Sequence, residues 1–253
     1  MEIGRTFDGV AALYDAQRTG YPDALFEDLL AIAGLSSGDR MLEIGCGSGQ
    51  ATAGFAARGL DITAIDPGSA LVDLARQRFA GSPNVRFAVG SFEEWPFDAQ
   101  PFRLVAAAQS WHWLRADIRF AKAAGVLVPG GHLAVFGHTP RWPAVLIARL
   151  EPVYRKYAPA IWGPPPESWY LPEGPIGDLF AASGFFEAAQ HRSYAWSRRY
   201  SAQSFVAYLS TRSDHHVLST EQRAAVLAEV EAALPQDVET DWVSNLYVAS
   251  RAR

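Results

Sequence analysis

Three glycines at alternate positions, Gly45, Gly47 and Gly49, follow the acidic Glu43 in the run Met41-Leu-Glu43-Ile-Gly45-Cys46-Gly47-Ser-Gly49-Gln50. Glycine lets a chain turn sharply from strand to helix and bring its backbone close to a ligand, and amides at a helix start favour electron-rich groups. A tight turn with no ligand uses the same residues, so the chemistry rests on what accompanies it. Asp66 stands 17 residues past Gly49 (66 minus 49), at the end of the next apolar run. There a carboxylate can accept hydrogen bonds from both hydroxyls of a ribose, which points to an adenosine ligand. A dinucleotide fingerprint counted from Gly45 needs its third glycine at position 50, where this chain has Gln50, so a nicotinamide cofactor is disfavoured.

The elements around these residues must bring the turn and the acid together. From Arg40 to about His138, short β-branched runs alternate with helical stretches, the pattern of a parallel sheet wound by β-α-β units. Strands are predicted at 41–44, 61–65, 85–89, 103–108 and 132–136, with helices at 50–58, 69–79 and 117–127. Gly59 suits a helix C-terminus, Ser69 and Asp117 suit N-caps, and Pro129-Gly130-Gly131 ends the last of these helices. Upstream, 6–15 and 22–33 read as helices separated by a break at 18–21. Downstream, 144–157 reads as a helix, and 159–175 as a loop-rich insertion whose Trp162, Trp169 and Tyr170 are costly to leave in water. Strands at 188–196 and 242–249 close the chain as a hairpin with a long helical insertion. The expected organisation is one domain over 1–253: a helical lid (1–34), a nucleotide-binding core (35–140), an insertion or cap (141–187) and the hairpin (188–253).

Composition narrows the partners. With 49% apolar and 12% aromatic residues the chain can bury one large core. Acidic residues outnumber basic ones 27 to 22, and the only lysines are Lys122 and Lys156, so a nucleic-acid phosphate backbone is disfavoured. The single cysteine, Cys46, allows no intramolecular disulfide and no cysteine cluster for a metal, which fits a reducing cytoplasm. The first ten residues lack a basic start with an apolar stretch behind it, and no apolar run approaches the ~20 residues of a spanning helix, so membrane insertion is not expected.

The spacing Glu43-x-Gly45-x-Gly47-x-Gly49 resembles the first motif of class I S-adenosylmethionine (SAM) methyltransferases. The resemblance implies a Rossmann-like, doubly wound, seven-stranded and mostly parallel sheet. It also implies that Cys46 and Pro67 border the cofactor, with Asp66 on its ribose. The segment Gly90-Ser91-Phe92-Glu-Glu-Trp-Pro-Phe97 is similar to the loop that walls the adenine, where many members carry an aspartate at the position of Ser91. Phe92 packs either on the ring or in the core. Gln109-x-x-His112-Trp113 resembles the trans-aconitate methyltransferase-like branch, whose relatives modify small carboxylic acids and, in some members, thiols. A Pro-Pro-Tyr type motif is missing at this point, which disfavours DNA bases and protein glutamine. Phe7-Asp-Gly-Val-Ala-Ala-Leu-Tyr14-Asp15, followed by Arg18 and Tyr21-Pro22, looks like the lid of that branch and of quinone methyltransferases, and implies that Tyr14, Arg18 and Tyr21 face the methionine end of SAM or the acceptor.

Methyl transfer from a sulfonium is an in-line displacement that a dry, aligned pocket accelerates without a metal. Trp111, Trp113 and Tyr14 are candidates to attract the sulfonium through their ring faces, or else pack as core and rim. Arg18 could hold a carboxylate. His112 serves either as a base or as a hydrogen-bonding anchor of its loop. His138 and Arg141 follow the fifth strand, and Arg212 lies in a tail segment, all as candidate acceptor contacts. His215 and His216 are adjacent and diverge by about 100° on a helix, which argues against a shared metal. The expected reaction is methylation of a small-molecule carboxylate oxygen or thiol. A quinone, phenol or carbon acceptor is the alternative, and a NAD-dependent oxidoreductase or a non-catalytic SAM-binding module ranks below both.

Overall fold

The computed structural model describes residues 11–96, 100–163 and 166–252. Strand β1 (Arg40–Ile44) lies between β2 (Asp61–Asp66) and β4 (Phe102–Ala108), with β3 (Val85–Val89) at one edge. Beyond β4 come β5 (Leu127–Arg141), β7 (Asp237–Ser250) and β6 (Gln190–Ser201), in the order β3-β2-β1-β4-β5-β7-β6. The first five strands are mutually parallel, while β7 runs antiparallel between β5 and β6. This is the Rossmann-like seven-stranded sheet that the glycine motif implies.

Period-two alternation explains why both faces are covered. Met41, Leu104 and Ala106 point into a core with Phe26 and Phe55, from α2 (Asp23–Ala33) and α3 (Gln50–Ala56). Leu42, Val105 and Ala107 point into a second core with Phe120 and Phe180, from α5 (Arg119–Val126) and α7 (Ile176–Ala182). Helix α4 (Ser69–Arg78) follows β2, and α1 (Ala11–Gln17) lies near it. A third apolar cluster builds the cap from α6 (Ala144–Tyr157), α8 (Ala202–Ser210) and α10 (Thr220–Ala233) against Trp242 of β7, with the short α9 (Ser213–His216) between α8 and α10.

Several boundaries differ from the sequence reading. β5 starts at Leu127 rather than 132, because Leu127 already pairs with Phe102 of β4; after an irregularity between Phe102 and Leu104 the pairing resumes at His132. It then overruns the core to Arg141, held by β7 out to Asp241. Asp117 does not cap α5: Ile118 occupies the cap position, and the Asp117 carboxylate pairs with Arg115 at 2.6 Å. Gly68, not Ser69, precedes α4. No helix among the described residues is long and apolar enough to cross a membrane.

Candidate functional site

The glycine turn is held in place by the strand beside it. The amides of Gly45 and Cys46 both donate to the carbonyl of Ile65, at 2.8 and 3.1 Å. Gly45, Gly47 and Gly49 have φ of +69°, +55° and +92°, a left-handed backbone that L side chains adopt only at a cost. Space is equally restrictive at Gly45, where a Cβ would lie 2.4 Å from Cβ of Ser110, whose hydroxyl donates to the Ile44 carbonyl at 2.5 Å. Gly45→Ala should therefore cost about 3 kcal/mol, from the left-handed penalty and overpacking together. For a chain of this size that is roughly 6–12 °C in Tm. The control Gly81→Ala, whose added methyl meets nothing within 4 Å, should leave Tm unchanged. Equal melting of the two variants in a calorimetric scan would contradict this account of the turn.

Asp66 and the glycine turn meet directly. The Gly47 amide donates to Asp66 Oδ2 at 2.9 Å and the Gly68 amide to Oδ1 at 2.8 Å. A carboxylate oxygen accepts more than one hydrogen bond, so this fixed carboxylate retains capacity for the two hydroxyls of a ribose. Pro67 follows it, half-buried.

Glu43, the last residue but one of β1, lies beside the same turn with 1% of its surface exposed. Thr52 donates to its Oε2 at 2.7 Å, while Oε1 is buried with no hydrogen-bond partner among the described residues. Burial pushes the carboxyl up to about 8, with the nearby Asp66 adding to the shift and the Thr52 hydrogen bond opposing it. Burial, with Asp66 and Glu43 adding to it, pushes the neighbouring Cys46 thiol up as well, which keeps it protonated.

Glu43, Gly45, Cys46 and Gly47 wall a crevice of about 50 Å³ whose other side is Gln109, His138 and the lid residues Arg18, Thr19 and Tyr21, and Asp66 adjoins it through the Gly47 amide. Gln109 has φ of +56°, unusual for a side-chain-bearing residue, and its amide Nε2 donates to the His138 carbonyl at 3.1 Å. Tyr21 stacks on His138 with centroids 4.0 Å apart, and His138 Nδ1 lies 3.0 Å from the Ser244 hydroxyl. Burial and then the Arg18 cation push the His138 imidazole down to about 3, so it is neutral at physiological pH. The lid is latched to the turn: Asp15 accepts from Gln50 Nε2 at 3.1 Å and from Arg78 at 2.6 Å, and Arg78 also donates to the Ser48 carbonyl. Gln50, which marks the departure from the dinucleotide pattern in the sequence, is thus part of a fastening whose partners lie far along the chain. Arg18 donates to the Thr211 carbonyl at 3.2 Å, tying the lid to the cap.

Other expected site residues fall elsewhere. Trp111 is fully buried, edge-on to Phe120 at 5.0 Å with the Arg119 guanidinium 5.6 Å from its ring, and borders neither cavity. His112 borders neither cavity; its Nδ1 lies 2.9 Å from the Tyr170 hydroxyl. Burial, followed by Arg119, pushes His112 down to about 4. Its neighbour Trp113 is 43% exposed. Phe92 lies in the core cluster, and the Ser91 hydroxyl accepts from the Glu94 amide. Arg141 is exposed at the end of β5. Residues Phe7 to Val10 and the side chain of Tyr14 lie outside the described residues.

Arg212 sits in a second cavity, of about 190 Å³, where β5 overruns the sheet. Its walls are Pro140, Trp142, Ile147, Ile161 and Trp162, with Tyr154, Arg212, Asp214 and His215 supplying the polar part. Pro140 is two residues along β5 from His138 in the crevice, about 7 Å at a strand's rise. Sequence reasoning misses Tyr154 and Asp214 and treats His215 only as a poor metal ligand.

The crevice fits SAM on its own terms. The orphaned Glu43 oxygen suits the ammonium of the methionine moiety, the fixed Asp66 carboxylate suits the ribose, and the side-chain-free turn admits close backbone approach. Residues 41–131 match the family model of a methyltransferase domain. An uncharacterised methyltransferase of Mycobacterium tuberculosis is 32% identical over 138 residues, 54% of each chain, so the match spans about half the length of that relative. Demethylmenaquinone methyltransferase of Clavibacter sepedonicus is 29% identical over 167 residues, covering 61% of this chain and 65% of the relative. A protein of Anaeromyxobacter dehalogenans, provisionally assigned as a type II methyltransferase, is 25% identical and superposes with a TM-score of 0.64 over 92% of this chain and 97% of that one. Over residues 41–131 the chain thus resembles a methyltransferase domain, its sheet is of the Rossmann-like kind, and its crevice fits S-adenosylmethionine.

Proposed function

We propose that the chain transfers the methyl group of SAM to a small, mostly apolar, ring-bearing acceptor held in the cavity beyond the end of β5. The observation that carries this reading is the cavity itself: aromatic and aliphatic walls next to the cofactor crevice, with its one arginine, Arg212, already matched by Asp214 at 2.6 Å. An apolar cavity of ~150 Å³ can take a benzene-sized guest, so about 190 Å³ suits a substituted ring. In this reading Glu43 and Asp66 hold the two ends of the cofactor, and Tyr21 and His138 close the crevice between them. The cofactor supplies an electrophilic methyl carbon on a sulfonium. The protein's share is to dry the space and align the acceptor. The quinone-directed name of the Clavibacter relative supports an aromatic acceptor. A carboxylate acceptor rests instead on Arg18, which lines the crevice, and a thiol would need no cation.

Two measurements test the proposal. S-adenosylhomocysteine (SAH) at a hundredfold excess over its Kd should stabilise the protein by about 2.7 kcal/mol, a rise of roughly 5–10 °C in Tm, while NAD should give no shift. With methyl-labelled SAM and the small-molecule fraction of a cell extract, label should appear in organic-extractable product. A shift with NAD alone, or label passing only into added protein or nucleic acid, overturns the reading.

A further inference from the structure

Tyr154, His215 and Asp214 form a hydrogen-bonded chain in the wall of the second cavity. Asp214 Oδ1 lies 2.7 Å from His215 Nδ1, and His215 Nε2 lies 2.8 Å from the Tyr154 hydroxyl. Burial pushes the Asp214 carboxyl up, but the hydrogen bond from His215 and the Arg212 guanidinium outweigh it and hold the group well below the usual carboxylate range. Asp214 is therefore an acceptor only. The proton on the imidazole then sits on Nδ1, leaving Nε2 to accept the proton of the Tyr154 hydroxyl. With its own hydrogen directed inward, the phenol oxygen has lone pairs left to accept a hydrogen bond from a molecule in the cavity. Packing gives no reason for this arrangement. Leu146, Leu150 and Phe205 already fill the cap, and an ion-paired aspartate, imidazole and phenol buried among them stabilise no better than apolar side chains would.

We propose that this chain of groups is a proton relay for a phenolic acceptor, an inference that rests on the methyl-transfer reading above. Tyr154 is the catalytic residue that touches the acceptor hydroxyl, and His215 and Asp214 are positioning residues that act through it. As the acceptor oxygen bonds to the methyl carbon, the carbon–sulfur bond breaks with its electron pair going to sulfur. The hydroxyl proton passes to the Tyr154 oxygen, and the Tyr154 proton passes to His215 Nε2. The imidazolium, held by Asp214, later gives that proton to water. The products are an aryl methyl ether, SAH and one proton. Burial pushes the Tyr154 phenol up, with Asp214 and Tyr208 adding to the shift and Arg212 opposing it. A free tyrosinate is thereby disfavoured, while a concerted double transfer never forms one.

The test uses three probes of one ring size, 4-methylphenol, 4-methylbenzoate and 4-methylbenzenethiol, with methyl-labelled SAM, and 4-nitrophenol as a phenol of more acidic hydroxyl. Transfer to 4-methylphenol is expected, with Tyr154→Phe and His215→Asn lowering kcat by about 100-fold or more. SAH affinity and Tm of these variants should stay near the parent values. The loss should shrink for 4-nitrophenol, which needs less help to ionise, a dependence that a merely structural role would not produce. Without cofactor, bound 4-nitrophenol should show its phenolate absorption at lower pH in the parent protein than in Tyr154→Phe. Transfer to the thiol or carboxylate with none to 4-methylphenol overturns the relay while leaving the methyltransferase reading intact, as does an equal loss for both phenols. Failure to bind SAH overturns both.

Discussion

Replacing Asp66 with alanine is expected to weaken SAH binding by about 10²–10³-fold. The carboxylate accepts directly from the glycine turn and the residue after Pro67, holding the Gly47 and Gly68 amides at 2.9 and 2.8 Å. Two ribose hydroxyls donating to it would be charge-assisted bonds of about 1.5–3 kcal/mol each, and losing even the lower pair gives about 3 kcal/mol. At 1.4 kcal/mol per decade that is two orders of magnitude in Kd, before any loosening of the turn is added. Asp66→Asn, which keeps the shape and one carbonyl oxygen, should lose less. Calorimetric titration with SAH measures both variants, and melting of the ligand-free proteins separates a damaged turn from a lost contact. A Kd within threefold of the parent for Asp66→Ala would remove the carboxylate from the cofactor site.

Glu43 should make cofactor binding a proton-releasing event. Its folded-state carboxyl is raised from 4.5 to about 8, chiefly by burial, so between these values the folded protein binds a proton that the unfolded chain has lost. For an acid raised in this way, stability declines as pH climbs through the window, by up to ~1.4 kcal/mol per pH unit, and the loss is complete above about 8. An ammonium placed at Oε1 favours the ionised form and so expels that proton on binding. SAH affinity should then rise by up to tenfold per unit between pH 6 and 8 and level off beyond. Titrations at pH 7 in phosphate and in Tris, whose ionisation enthalpies differ, should report different apparent heats, from which close to one proton released is calculated. Glu43→Gln should abolish that difference, flatten the pH dependence and weaken binding. Identical heats in both buffers for the parent protein would mean that no ammonium meets this carboxyl.

The nucleotide-binding half was largely legible in the amino-acid sequence because its signals are local. Glycines at alternate positions, period-two apolar runs and an acid at a strand end each report geometry set by a few neighbouring residues, and β1, β2, β3 and β4 lie within a residue or so of their expected positions. Helix 144–157 was equally plain from its periodicity and occurs at those bounds. Burial is less local, and it separates candidates that look alike in sequence: Trp111 and Trp113 share a motif, yet one is enclosed by Phe120 and Arg119 while the other is nearly half exposed. The length of β5 depended on β7, a hundred residues away, supplying partners out to Arg141. Tyr154 and His215 are 61 residues apart, Arg78 and Asp15 are 63 apart, and no spacing rule connects either pair. Local chain chemistry alone therefore points to an adenosine-bearing cofactor. What surrounds the acceptor, and which side chains share a proton there, was decided only when long-range packing brought the cap against the overrunning strands, because hydrogen bonds between distant segments leave no periodic trace in the chain.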